Sequence, residues 1–344
     1  MVAVTRASLI KAAIASSLSS PFLNLYPQQQ TPSESSYAPA AKFVREEITQ
    51  IIQNQDPSLA GSILRLAFHD ATVRSVASDP SVGGADGSIR YELDWSENRG
   101  LSKPLKVINE LFELQQEKFD LICPISISSS GESTSTSKIP CRSLSFADTL
   151  AISGAAAVEA AQGPKIEIQM GRKDVYQADN HFLDDPIQNM GGRSTITTSL
   201  PSAGLDSLGL RNYFKRLGFT EAELVALSGA HDLGRHVTLT GMPKGCLRNL
   251  TRSCLEDAPV LAPFITADPD TLSNRYFWTM LRWNDKDIEF GEAAFIPTDV
   301  TLVVDDGLKK YVVAFANDEQ LFFKRFRTAY RKLVDSTATT KSRF

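Results

Sequence analysis

The run Ile63-Leu64-Arg65-Leu66-Ala67-Phe68-His69 constrains this chain more than any other stretch. It is apolar nearly all round, and a helix of that kind is normally enclosed by other elements. Yet Arg65 and His69 lie within it, four residues apart and therefore on one face. A buried guanidinium is costly unless it is paired or put to use. Two readings stand at this point: a surface-grazing Arg beside a satisfied core His, or a polar pair lining a site. A second helix raises the same question. Thr220 and Glu223 form a capping box, and Phe219 is placed to staple onto Leu224. The helix then reads Leu224-Val225-Ala226-Leu227-Ser228-Gly229-Ala230-His231. Small residues at 228–230 permit close approach just before His231.

The rest of the chain reads as mostly helical from Tyr37 onward. Phe43, Val44, Ile48, Ile51 and Ile52 share one helix face, and Asp56 with Pro57 marks the start of the Arg65 helix. A length of 344 residues suggests two domains or one large one. Thirty-six basic against 40 acidic residues, a net charge of −4, argue against a nucleic-acid partner held by bulk electrostatics. No uninterrupted apolar run approaches the ~18 residues of a membrane span. The first 33 residues contain no acid, are rich in Ser and carry Arg6 and Lys11. That composition suits an organellar transit peptide, with a secretory signal second and a plain tail third. Gln28 to Ser36 reads as a linker, and Ser126 to Lys138 as a surface loop between Cys123 and Cys141. Cys246 and Cys254 make a second local pair. The four Cys are compatible with two disulfides or with four free thiols, depending on compartment. Asn249-Leu250-Thr251 is a sequon that matters only in the secretory pathway.

Two His on two apolar helices suggest a planar cofactor, ligated from one side and approached by reactants from the other. A haem iron takes one axial imidazole. Peroxide cleavage needs a base to carry a proton between the two oxygens and a cation for the departing charge. His69 and Arg65, one turn apart, suit those tasks. A carboxylate on the ligand's Nδ1–H would strengthen its push on the iron.

These residues carry a resemblance. Leu64-Arg65-Leu66-Ala67-Phe68-His69-Asp70 resembles the distal signature of the plant, fungal and bacterial haem peroxidase superfamily. Leu224 to Arg235, with Ser228-Gly229-Ala230-His231-Asp232, resembles its proximal signature. The likeness runs from about residue 40 to about 335. It implies His69 as distal acid–base, Arg65 as distal cation and Asn98 as the partner that fixes the His69 tautomer, with Glu92 supporting them. It implies His231 as the haem-iron ligand, Asp299 as acceptor of its Nδ1–H, and Phe68 against the cofactor. Asp70, Gly84, Asp86 and Ser88 match a distal calcium site of the fungal and secretory plant branches, and oxygen donors suit Ca²⁺. Thr266 and Asp268 fall where a second, proximal cation would bind, although Asp232 stands where a hydroxyl residue is usual and Ser273 where an Asp is usual. The ascorbate and cytochrome c branch usually has Trp where this chain has Phe68 and Ile265, and an ascorbate-contacting Arg where it has Thr240. The body otherwise resembles ascorbate peroxidases, which makes the chain a hybrid type.

The resemblance therefore implies a predominantly helical, all-α fold with minor β structure. Residues 37–160 would form a distal half and residues 161–344 a proximal half, the two sandwiching haem b. The implied enzyme reduces hydrogen peroxide with a small organic donor, in an organelle such as the chloroplast, with the secretory pathway as alternative. The rival reading is a catalytically silent, peroxidase-like binding protein of a plastid complex. His181 and His236 keep the bland reading of loop or surface residues.

Overall fold

The computed structural model describes residues 36–73, 84–119, 122–123, 139–140, 142–176, 200–201, 205–237, 261–263, 268–282 and 296–335. Helices dominate them, as the sequence implies. Helix α1 (Ala38–Asn54) opens on Pro39 and buries Phe43, Val44, Ile48 and Ile52, while Ile51 stays half-buried. Helix α2 (Leu59–Val73) carries Arg65 and His69 and starts two residues later than the Asp56-Pro57 signal predicts. Asp56 instead caps a preceding turn, its Oδ1 accepting from the Ser58 N–H at 3.1 Å. Helix α3 (Ser102–Phe119) follows.

Helix α4 (Phe146–Ala160) is the buried centre of the N-terminal half. Ser145 caps it, accepting from the Asp148 N–H. Every residue from Phe146 to Val158 is buried, and many are Ala, Ser or Gly, which lets α1 and α2 both pack closely against it. At Gly154 a Cβ would overlap the Tyr330 hydroxyl and sit 2.9 Å from the Ala67 Cβ. That hydroxyl donates to the Ala151 carbonyl at 3.0 Å. Gly154→Ala is expected to destabilise the protein by about 1–3 kcal/mol through overpacking, seen as a lower denaturation midpoint at unchanged m-value.

Beyond residue 200 the helices are α5 (Ser207–Arg216), α6 (Glu221–Ser228), α7 (Arg275–Arg282), α8 (Pro297–Val304), α9 (Asp306–Asn317) and α10 (Glu319–Val334). A file of rings binds three of them. Phe277 of α7 meets Phe315 of α9 at 5.3 Å and Phe322 of α10 at 4.9 Å, and Phe322 meets Phe326 at 5.7 Å. Helix α10 also packs on α2 and α6, so it crosses between the distal and proximal halves expected from the sequence. The β structure is minor. Strand β1 (Ile122–Cys123) pairs antiparallel with β2 (Ile139–Pro140) at the base of the Ser-rich insert. Strand β3 (Arg235–Val237) pairs with β4 (Leu261–Pro263), Arg235 opposite Pro263. Among the described residues no helix is long and apolar enough to cross a membrane. The leader, His181, Asn249 and the side chains of His236, Cys123, Cys141, Cys246 and Cys254 lie outside the described residues.

Candidate active site

Arg65 and His69 face each other across one turn of α2, with Arg65 Nε 3.2 Å from His69 Nε2. On the other side of the ring, His69 Nδ1 lies 2.7 Å from Asn98 Oδ1. A carboxamide oxygen can only accept, so Nδ1 carries the proton and Nε2 keeps its lone pair. The orientation of Asn98 is itself fixed, because its Nδ2 donates to the Glu92 carbonyl at 2.9 Å. The support expected from Glu92 thus reaches Asn98 through the peptide oxygen. Arg65 is tied down by two further carbonyls, Nη1 to Arg99 at 2.9 Å and Nη2 to Glu97 at 2.6 Å. Burial, then the Arg65 charge, lowers the His69 imidazole to about 3, while the Asn98 hydrogen bond opposes this. The ring is therefore a neutral base at ordinary pH. Burial and Arg99 pull Arg65 down to about 10, which leaves it cationic. Arg65 nonetheless stays exposed, although protein atoms surround its guanidinium. Phe68 stands edge-on to His69 at 6.2 Å and is half-buried.

The second histidine sits differently from the sequence reading. Helix α6 keeps its capping box, with the Thr220 N–H donating to Glu223 Oε2 at 2.8 Å. It ends at Ser228, and His231 lies on a tighter 3₁₀ turn, Gly229–Asp232. The close approach that Gly229 permits is taken up by aromatic side chains. A Cβ there would come within 2.6 Å of Phe322 and 2.9 Å of Phe277. His231 Nδ1 donates to Asp299 Oδ1 at 2.8 Å, so Nε2 is the nitrogen that can meet a metal. Asp299 lies in the first turn of α8, where the helix dipole favours an acid, and its Oδ2 also accepts from the Ile296 N–H at 3.1 Å. It is thus both the local capping acid and the partner of His231. The Tyr276 hydroxyl donates to the same Asp299 Oδ1 at 2.7 Å. The sequence reading assigns Tyr276 no role; its only signal is a phenol in an apolar stretch, and buried phenols seek a partner.

The two histidine-bearing segments are packed together by main chain. A Cβ on Gly61 of α2 would lie 2.8 Å from the Gly234 Cα, three residues beyond His231. Gly234 has φ +89°, a conformation that glycine adopts without strain.

Of the expected calcium residues, Asp70, Asp86 and Ser88 meet, the Ser88 N–H donating to Asp86 Oδ1 at 3.1 Å, and Gly84 lies on the same loop. Asp70 is fully buried, its Oδ2 accepting from the Asp86 and Gly87 N–H groups at 3.0 and 3.1 Å and its Oδ1 from Ile89 at 3.1 Å. Gly84 and Gly87 hold positive φ, +84° and +79°, which bends the loop around Asp70. Ser88 is buried, and its Oγ has no hydrogen-bond partner among the described residues. Burial, then the Asp86 charge, raises the Asp70 carboxyl well above its usual range. No group of three or more His, Cys, Asp or Glu side chains arranged to hold a metal occurs among the described residues. The donor set here is mixed, however: two acids, a carbonyl and an orphaned hydroxyl fit a hard cation.

The second cation site looks different. Thr266, Ile265 and Thr240 lie outside the described residues. Asp268 pairs with Arg275 Nη2 at 3.2 Å, and Arg275 Nε donates to Ser273 Oγ at 2.9 Å. Ser273 in turn donates to Asp232 Oδ2 from its N–H at 2.6 Å and its hydroxyl at 3.0 Å. Burial lifts Asp232 to about 7. A guanidinium already supplies positive charge in this neighbourhood.

The family model described as Peroxidase matches residues 44–318. A protein of Arabidopsis thaliana whose name places it among the L-ascorbate peroxidases, as number 6, is 31% identical over 85% of this chain and 70% of its own length. The mitochondrial cytochrome c peroxidase of Cryptococcus neoformans var. grubii is 30% identical over 81% of this chain and 62% of its own length. A rice protein, Oryza sativa subsp. japonica, named as L-ascorbate peroxidase 8, chloroplastic, is 29% identical over 86% of this chain and 53% of its own length. This chain belongs to the peroxidase family. Within the haem peroxidase superfamily it is ascorbate-peroxidase-like, and it is an enzyme of the oxidoreductase class.

Proposed function

We propose that this peroxidase reduces hydrogen peroxide with a small organic donor, using Arg65, His69 and Asn98 on one side of haem b and His231 with Asp299 on the other. The observation that carries the reading is the Arg65–His69–Asn98 chain, in which the tautomer is fixed with its lone pair on Nε2. Haem, when bound, supplies the redox-active iron. Neutral His69 takes a proton from the near oxygen of peroxide and returns it to the far oxygen, which leaves as water. Arg65 stabilises the negative charge that develops on the departing oxygen. Asn98 holds the Nδ1–H and so keeps the lone pair on Nε2, where the Arg65 Nε–H donates to it at 3.2 Å before peroxide arrives. His231 would hold the iron through Nε2, and Asp299 orients that ring and increases its basicity. A silent binding protein has no use for the Arg65–His69 pair, which favours the catalytic reading over that rival.

The reading is tested by reconstituting the protein with haem, recording the Soret band and adding one equivalent of peroxide. The expected result is haem uptake, a shifted spectrum on peroxide addition, and return to the resting spectrum with a one-electron donor. Absence of haem uptake would overturn it. A donor panel of ascorbate, guaiacol and cytochrome c then assigns the reductant.

Asp70, Gly84, Asp86 and Ser88 are proposed to hold Ca²⁺, and the orphaned Ser88 hydroxyl beside two buried acids supports this. The loop leads directly to Glu92 and Asn98, so cation loss should loosen the His69 support. Chelation with excess EDTA is expected to lower Tm, and calcium to restore it. An unchanged Tm after verified metal removal counts against the site. The second cation is proposed to be replaced by Arg275, in keeping with its contacts to Asp268 and Ser273. The acid-poor leader supports an organellar address, the chloroplast first.

A further inference from the structure

We propose that Tyr276 is a positioning residue of the active site, whose hydroxyl shares Asp299 Oδ1 with His231 Nδ1–H and thereby limits how strongly the carboxylate draws on that imidazole. The proposal rests on the reading of His231 as the haem ligand. Two donors converge on one oxygen, Tyr276 at 2.7 Å and His231 at 2.8 Å. The other oxygen is engaged by the Ile296 N–H at 3.1 Å. Asp299 is 1% exposed and Tyr276 fully buried, so water does not compete for the shared oxygen. Each donor that a carboxylate accepts withdraws part of the charge available to the others. Low local dielectric makes that division consequential.

The geometry leaves Tyr276 little freedom to turn away. Its ring meets His231 edge-on, centroids 6.3 Å apart at 77°, and meets Phe277 edge-on at 4.9 Å. Burial and the adjacent Asp299 charge push the phenol well above its ordinary value, so it remains a donor. The chemical consequence concerns the metal. A carboxylate that accepts strongly from the ligand's Nδ1–H gives it imidazolate character and favours the oxidised iron. Tyr276 moderates that pull.

A buried tyrosine satisfying its hydroxyl would look the same in stability measurements, so the test reads the iron. In the haem-reconstituted protein, Tyr276→Phe removes one donor and leaves the ring. The Fe(III)/Fe(II) midpoint potential is expected to shift to more negative values, and the ferrous iron–histidine stretch in resonance Raman to higher frequency. Site-specific 3-fluorotyrosine at 276, a more acidic phenol of similar size, is expected to shift both in the opposite direction. It also keeps the test informative if Tyr276→Phe folds poorly. Unchanged potential and stretch in both proteins, with or without a change in Tm, would overturn the role of Tyr276 and leave His231 as ligand. Absence of an iron–histidine stretch in the unsubstituted protein would overturn the ligand assignment and this proposal with it.

Discussion

His69→Ala is expected to slow peroxide cleavage by at least ~10²-fold, the scale of lost acid–base catalysis. The substitution removes the Nε2 lone pair but leaves Arg65 held by the Glu97 and Arg99 carbonyls, so the cation survives without the base. Haem uptake should persist, because His231 and Asp299 are untouched. Stopped-flow monitoring of the Soret band under single-turnover conditions is the measurement, and a near-native rate would show that the base lies elsewhere. The pH profile offers a companion reading. Burial and Arg65 lower His69 to about 3. The unsubstituted enzyme should therefore cleave peroxide at a level rate between about pH 7 and about pH 5, below the ordinary His value near 6.5. Its acid limb should appear only toward the lowered value. The linkage has a definite sign. Between those two values the unfolded chain binds a proton that the folded site refuses, so stability falls as pH falls through that window.

Asp299→Asn is the second change with a large expected effect, a loss of about 10- to 100-fold in haem affinity or peroxide cleavage. The side chain keeps its size and loses its charge. The carboxylate accepts from His231, Tyr276 and Ile296. An amide can direct its oxygen at only one side of that set, and its NH₂ then faces another donor. Leaving a buried donor unmatched costs about 1–3 kcal/mol, so a lower Tm should accompany the functional loss. The iron potential should become more positive, because a neutral acceptor draws less on the imidazole. Unchanged potential and rate would mean that Asp299 serves only as the capping acid of α8.

Much of this site was legible in the sequence because its parts are local. Arg65 and His69 are one helical turn apart, and helical period alone places them together. The Thr220–Glu223 capping box is a contiguous signal and appears as expected. The parts that escaped depend on packing between distant segments. The residues around His231 carry no signal that α6 tightens at Ser228, where Phe277 and Phe322 of distant helices press against Gly229. The resemblance implies that Glu92 supports the distal residues, and it does meet Asn98, but through its carbonyl, a backbone contact that leaves no residue-type signature. Tyr276 and Asp299 are 23 residues apart, and only the fold of α7 against α8 brings them together.

The contact between Gly61 and Gly234 has a consequence for how such an enzyme can vary. The segments bearing His69 and His231 meet there as bare main chain, with no side chain between them. The spacing of the two flanks is thus gauged by peptide geometry, which does not change when neighbouring side chains do. Side chains around this contact can therefore vary while the separation of the main chains bearing His69 and His231 is kept. A peroxidase built on such a contact can change its periphery without re-spacing its two histidine segments.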